Sequence, residues 1–135
     1  MKLKFLLIPV TILIGVSQAY AAAESPIEYS ATYKKCMASG DAAQGITSGL
    51  LECTENERRF QDGKLNQAYQ TAMARLPANR KDELRLSERN WIKSRDAICE
   101  QRERESGGGT LSTVVGLDCL LQETVKRKTY LEQYR

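Results

Sequence analysis

The stretch from Thr47 to Leu76, TSGLLECTENERRFQDGKLNQAYQTAMARL, decides how this chain folds. Leu50, Cys53, Glu57 and Phe60 recur at intervals of three and four residues. After Gly63 a second stripe continues through Leu65, Tyr69, Ala72 and Leu76. That spacing lines one side of a helix with groups that seek a core. Thr47 or Ser48 is placed to cap it, because a side-chain oxygen there accepts from an otherwise unpaired N–H of the first turn. Pro77 ends it by pushing the preceding residue out of the helical region. Gly63 costs about 1 kcal/mol relative to alanine in a helix. The stripe shifts at that point, so a bend is expected there.

Outward from this helix the pattern stays helical, with no convincing strand. Glu24 to Ile27, with Pro26, reads as an extended lead-in. Ser30 to Ala38 forms a short helix carrying Cys36 and stopped by Ser39-Gly40. Asn79 can cap a second long helix, with Asp82 and Glu83 near its positive end. Its seam is Leu84, Glu88, Trp91, Arg95 and Ile98, and Gly107-Gly108-Gly109 ends it. Thr110 or Ser112 begins a last helix with Val114, Leu117, Leu121, Thr124 and Leu131 on one side. Short connections imply antiparallel neighbours. The expected fold is all-α: a small disulfide-stapled bundle of about four helices, two or three of them long and antiparallel. Phe60, Leu65, Tyr69, Trp91 and Leu121 are its expected core.

Residues 1–21 read as a signal peptide. Lys2 and Lys4 give a positive start, and Phe5 to Val16 form an apolar run too short for a stable membrane anchor. Ala19-Tyr20-Ala21 offers a small-x-small cleavage site, with Ala21-Ala22-Ala23 as an alternative. The competing reading is an uncleaved N-terminal anchor. No cysteine follows the site, so no lipid attachment is expected. Removing Lys2 and Lys4 from 20 basic residues leaves 18 against 17 acidic ones, a net charge of +1. The mature segment, 22–135, therefore carries no basic excess that would favour nucleic acid or an anionic membrane surface. It suits one small domain, periplasmic or secreted, with no membrane anchor after cleavage.

A domain of this size buries a modest core and gains from covalent staples. All four cysteines, Cys36, Cys53, Cys99 and Cys119, lie in the mature segment. An even number in an oxidising compartment points to two disulfides. Zinc is disfavoured, since no close Cys-x-x-Cys pair and no histidine is present. Pairs 36–53 and 99–119 would each staple a helical hairpin, whereas 36–99 and 53–119 would tie non-consecutive helices. The spacing leaves all three pairings open.

Among the charged residues at seam positions, Glu57 lies one turn after Cys53 and Arg95 one turn after Trp91. Both are expected in the cysteine-bearing half of the bundle. They read as a partly buried ion pair fixing helix register, with Arg127 as another partner for Glu57. The functional alternative is a catalytic carboxylate beside an anion-binding arginine. Enzyme chemistry has little support, however. The absence of histidine removes Ser-His and Cys-His mechanisms and the commonest general base. Nothing singles out a carboxylate pair of the kind a glycosidase needs. The triple glycine lacks the strand and the Gly-Lys-Ser/Thr of a phosphate loop. No cofactor and no metal are expected.

The order of these features resembles a known family. Tyr33-x-x-Cys36, Thr47-x-x-Leu50-x-x-Cys53-x-x-x-Glu57 and Asp62-x-x-Leu65-Asn66-x-x-Tyr69 are similar to the first half of the lysozyme inhibitor LprI-like domain. Trp91-Ile92-x-x-Arg95-Asp96-x-x-Cys99, Gly108-Gly109-Thr110 and Cys119-x-x-x-x-Thr124-x-x-Arg127-x-x-x-Leu131 are similar to its second half. Gly63 and Glu88 depart from the pattern, where the family has a helix former and often glutamine. The family takes its name from a mycobacterial lipoprotein that inhibits lysozyme. The resemblance implies a soluble binding protein that occludes a lysozyme or another cell-wall hydrolase. Glu103, Arg104, Glu105, Gly107 and Gly108 are then candidates for a target-binding loop, with a frayed helix end as the plainer explanation. Two other readings remain: an immunity protein against a delivered envelope toxin, and a structural or stress protein of the envelope.

Overall fold

The computed structural model describes residues 26–135, and residues 1–21, expected to be a signal peptide, lie outside them. Five helices follow in order: α1 (Ala31–Met37), α2 (Gly40–Ala43), α3 (Thr47–Arg75), α4 (Ala78–Glu105) and α5 (Thr110–Gln133). No strand occurs among the described residues. The all-α expectation is met, with three long helices and two short ones. The single turn of α2 is an addition, since Ser39-Gly40 reads as a stop. Ser39 is extended and Gly40 sits at φ +55°, so the chain turns and re-enters a helix at once.

The helix starts differ in detail from the sequence signals. Ser30 does cap α1, its Oγ accepting from the Tyr33 N–H at 3.0 Å. Ile46 precedes α3 and Pro77 precedes α4, each without a side-chain capping bond. Neither Thr47 nor Ser48 caps α3, and Asn79 lies inside α4. Leu76 is extended, as the residue before proline prefers, and α4 begins immediately after Pro77. α3 runs through Gly63 without interruption.

Directions follow from which ends meet. Leu65, Ala68, Ala72 and Leu76 of α3 cluster with Leu84 of α4 and Leu131 of α5. The C-terminal ends of α3 and α5 thus meet the start of α4. The far end of α4 is tied to the first half of α5 by Cys99–Cys119. So α4 is antiparallel to α5, and α3 runs parallel to α5. Contacts are most extensive between α5 and α3, then between α5 and α4, and nothing comparable joins α3 to α4. The expectation of antiparallel consecutive neighbours thus holds for α4 and α5, whereas α3 packs chiefly on α5 and not on α4. Polarity explains it: α5 is the least polar long helix and α4 the most polar. The apolar helix takes the middle, and α4 buries only Leu84 and Cys99.

Of the expected core residues, Leu65 and Leu121 are buried, while Tyr69 and Trp91 are half-buried against the Leu131 cluster. Phe60 is not core; it is 49% exposed. The inward path along α3 is Cys53, Glu57, Gln61, Leu65, Ala68 and Ala72. Gln61 holds the slot, and Phe60, one residue earlier, is turned about 100° away from it. Ile98 is likewise exposed because Cys99 faces inward.

Candidate functional site

The cysteines pair as Cys36–Cys53 and Cys99–Cys119, joining α1 to α3 and α4 to α5. Both bridges lie at the bundle end where α3 and α5 begin. Around the first, a polar network replaces a core. Glu57, 3% exposed, accepts at Oε1 from the Ser30 N–H at 2.8 Å and from Gln61 Nε2 at 2.7 Å. Its Oε2 accepts from Ser30 Oγ, and Gln61 Nε2 also reaches the Glu28 carbonyl at 3.4 Å. A carboxylate at the start of a helix suits the partial positive charge there, and every oxygen of this one has a neutral donor. A pocket of about 190 Å³ lies alongside, lined by Ser30, Tyr33, the Cys36–Cys53 bridge, Glu57 and Phe60. Tyr29 sits nearby with its hydroxyl pKa pushed up to about 12, chiefly by burial and then by Asp118, Tyr33 and Glu57.

The second polar cluster joins α4 to α5. Arg127 donates from Nε to Glu88 at 2.6 Å and from Nη2 to Ser87 Oγ at 2.8 Å. Both partners of this ion pair are nearly buried, at 10% and 13% side-chain exposure. The Arg127 guanidinium also lies over the rings of Tyr130 and Trp91, with Cζ 4.6 Å and 5.6 Å from their centroids. Arg95 also lies over the Trp91 ring, with Cζ 4.9 Å from its centroid, and pairs with Asp96 at 2.7 Å. Trp91 thus carries two guanidiniums, a cation–π arrangement that fixes the α4–α5 register.

Glu57, Arg95 and Arg127 therefore do not form the ion pair expected from their seam positions. Ser30 and Gln61 neutralise the need for a cation at Glu57, and Glu88 takes Arg127. The structure brings Arg95 and Arg127 together at Trp91, and it leaves Glu57 at the α1 clasp. Ser30, Gln61 and Glu88 are the partners that pattern reading did not assign. Glu88 carried a signal, as a charged residue on an otherwise inward seam. Ser30 carried none, since nothing local links it to a carboxylate 27 residues away.

Beyond the second disulfide, α4 continues to Glu105, so Glu103, Arg104 and Glu105 are helical rather than part of a loop. Gly107, Gly108 and Gly109 make the turn into α5, all with φ between 81° and 93°. Three successive left-handed positions are why glycines stand there. Arg104 pairs with Glu100 at 2.7 Å on the exposed surface. Glu103 folds over Gly116 of α5, where an added Cβ would lie 2.6 Å from its Oε2. Between the two helices runs an open groove of about 380 Å³, with Leu117 and Leu120 in its floor and Asp96, Glu100 and Glu103 on its wall.

On the outer side of α3, Glu55 is held by Arg58 at 2.7 Å and Arg59 at 2.8 Å. The hydrogen bonds from Arg58 lower its carboxyl pKa to about 2; burial opposes them, and the hydrogen bond from Arg59 adds a lesser lowering. Among the described residues, no group of His, Cys, Asp and Glu side chains is gathered to hold a metal, and no helix is long and apolar enough to cross a membrane.

Comparison with known proteins places this architecture. No solved structure matches the chain. An uncharacterized protein of Rhizobium meliloti (strain 1021) is 28% identical over 94 residues, covering 60% of this chain and 68% of the relative. The family model described as lysozyme inhibitor LprI matches residues 36–131, from the first cysteine to the Leu131 that closes the core. The chain belongs to the LprI lysozyme inhibitor family.

Proposed function

We propose that this protein is an exported, non-catalytic inhibitor that binds a lysozyme-type peptidoglycan hydrolase and blocks its access to the cell wall. The observation that carries the reading is the family match over residues 36–131. Residues 1–21 act as the signal peptide and 22–135 as the mature helical domain, which works in the periplasm or outside the cell. Two disulfides support this placement, because such bonds persist in oxidising compartments. The state of Glu57 supports a binding role over catalysis: its oxygens are occupied by Ser30 and Gln61, which hold α1 in place. Inhibition by occlusion needs a stable surface rather than a reactive group.

The test adds purified, oxidised protein to lysozymes of several types and measures both cell-wall lysis and complex formation. Near-stoichiometric inhibition of one type is the expected result. Absence of binding across the panel would overturn the reading and favour an immunity protein or a structural envelope protein. Hydrolysis of cell-wall fragments by the protein alone, lost in a folded Glu57→Gln variant, would overturn the non-catalytic part.

A further inference from the structure

We infer that the groove between the C-terminal half of α4 and the first half of α5 is the docking surface, and that its occupant is a lysine- or arginine-bearing segment of the hydrolase. This rests on the inhibitor reading above and adds the face and the chemistry of the contact. The groove is open and about 380 Å³ in volume. Its floor is apolar, with Leu117 and Leu120 only partly buried between the two helices. Its charged wall residues, Asp96, Glu100 and Glu103, are all acidic.

That combination suits a long cationic side chain. Such a chain lays its methylenes on apolar surface and keeps its charged head among carboxylates. The wall is not fully neutralised from within. Asp96 and Glu100 have the neighbouring Arg95 and Arg104, but Glu103 takes part in no ion pair among the described residues. Gly116 lets the Glu103 carboxylate rest against α5, since a larger residue would collide with it. An acid is thus held at the groove without a cation of its own. A cationic segment of the partner supplies the complement to this unpaired acid and its apolar floor. Complementary fields of this kind raise the association rate and set specificity.

Two measurements test the assignment. First, Glu103→Lys and Leu120→Glu are compared with Glu52→Lys, an exposed site on α3 outside the groove, for binding to the lysozyme that the native protein inhibits best. Each groove variant is expected to weaken binding at least tenfold, the control less than twofold, with all variants retaining native helicity. Second, tri-arginine peptide is titrated into the native protein at low salt while backbone amide resonances are followed. Shifts concentrated at Glu103, Leu117 and Leu120 support the groove and disappear in Glu103→Lys. Unchanged inhibition by both groove variants would overturn the groove while leaving the inhibitor reading intact. Peptide shifts spread evenly over exposed acids would do the same. If no lysozyme is bound yet the peptide maps to the groove, the inhibitor reading fails and the cation-binding surface stands.

Discussion

The two disulfides close loops of similar length, with separations of 17 and 20 residues, yet they secure opposite kinds of structure. Cys36–Cys53 holds a clasp, α1–α2, whose only buried residue is Ala42. Cys99–Cys119 joins two long helices that already share a core residue pair, Leu84 and Leu131, and a nearly buried ion pair. The carboxylates differ in the same sense. Glu57 is held by neutral donors that order an N-terminal segment, and Glu88 is held by a guanidinium that locks two helices. A covalent bond is the main attachment in the first region and a supplement in the second.

Breaking the charge pair gives the largest expected effect. Arg127→Ala leaves Glu88 buried without a cation, removes the guanidinium over Tyr130 and leaves Trp91 with Arg95 alone. A loss of about 3–5 kcal/mol is expected, typical of a buried pair with one partner removed. Glu57→Gln should cost about 1–3 kcal/mol, because a neutral amide replaces an acceptor while the donors remain. Urea unfolding of both variants measures the difference, and equal losses would show that the clasp is as integral as the hairpin.

The disulfides come next. Chain entropy gives about 3 kcal/mol for loops of this size in either case. The footprint is expected to differ. Replacing Cys36 and Cys53 by alanine should strip amide-exchange protection from residues 31–43 and leave α3, α4 and α5 protected. Replacing Cys99 and Cys119 should lower protection throughout the bundle. Global loss in both variants would remove the distinction between clasp and hairpin.

Two glycines sharpen it further. A Cβ at Gly49 would lie 2.5 Å from the Ala42 backbone nitrogen and 2.7 Å from Asp41 Cβ, so α2 must shift. Gly49→Ala should destabilise by about 1–3 kcal/mol and loosen the clasp. At Gly116 the nearest atoms all belong to the Glu103 side chain, Oε2 at 2.6 Å and Cβ and Cδ at 3.1 Å, so the collision is relieved mainly by moving the carboxylate away from α5. Gly116→Ala should change stability by less than about 1 kcal/mol, since alanine's helix preference offsets the displacement. Thermal melts of the two variants decide whether the clasp approaches its helix as closely as described.

The long helices and α1 were far more legible in the sequence than the contacts that pack them together. Leu65, Ala72, Leu84, Leu121 and Leu131 follow helical periods, Pro77 and the triple glycine mark the connections, and the family motifs span these elements. Phe60 misled because a large apolar side chain outweighs a neighbouring glutamine in any hydrophobic pattern. The inward path through Gln61 becomes visible only once Glu57 and Glu28 supply its partners. The order of packing was also hidden, because short loops specify chain direction and not which helices touch. The groove beside Glu103 falls in the same class. It is formed by α4 and α5 together, from residues that no single local motif joins.

The smallest expected effect separates two carboxylates on one helix. Glu57 points inward, while Glu55, two residues earlier, points outward to Arg58 and Arg59. The Glu55 carboxyl is held at about 2, below its ordinary value of 4.5. A lowered folded-state value means that the ionised form stabilises the fold above the ordinary value, and that this contribution is lost as pH falls toward 2. The pairs span three and four residues on a partly exposed surface, so solvent screening keeps their worth to a few tenths of a kcal/mol each. Glu55→Gln should therefore be less stable than the native protein by about 0.3–1 kcal/mol at pH 7, with the gap closing between pH 4.5 and pH 2. Added salt should narrow the pH 7 gap as well. Urea unfolding at pH 7, 4.5, 3 and 2 checks both trends. A gap that persists at pH 2 would assign Glu55 a role in packing, and would make α3 depend on both its carboxylates where only the inward one holds the clasp.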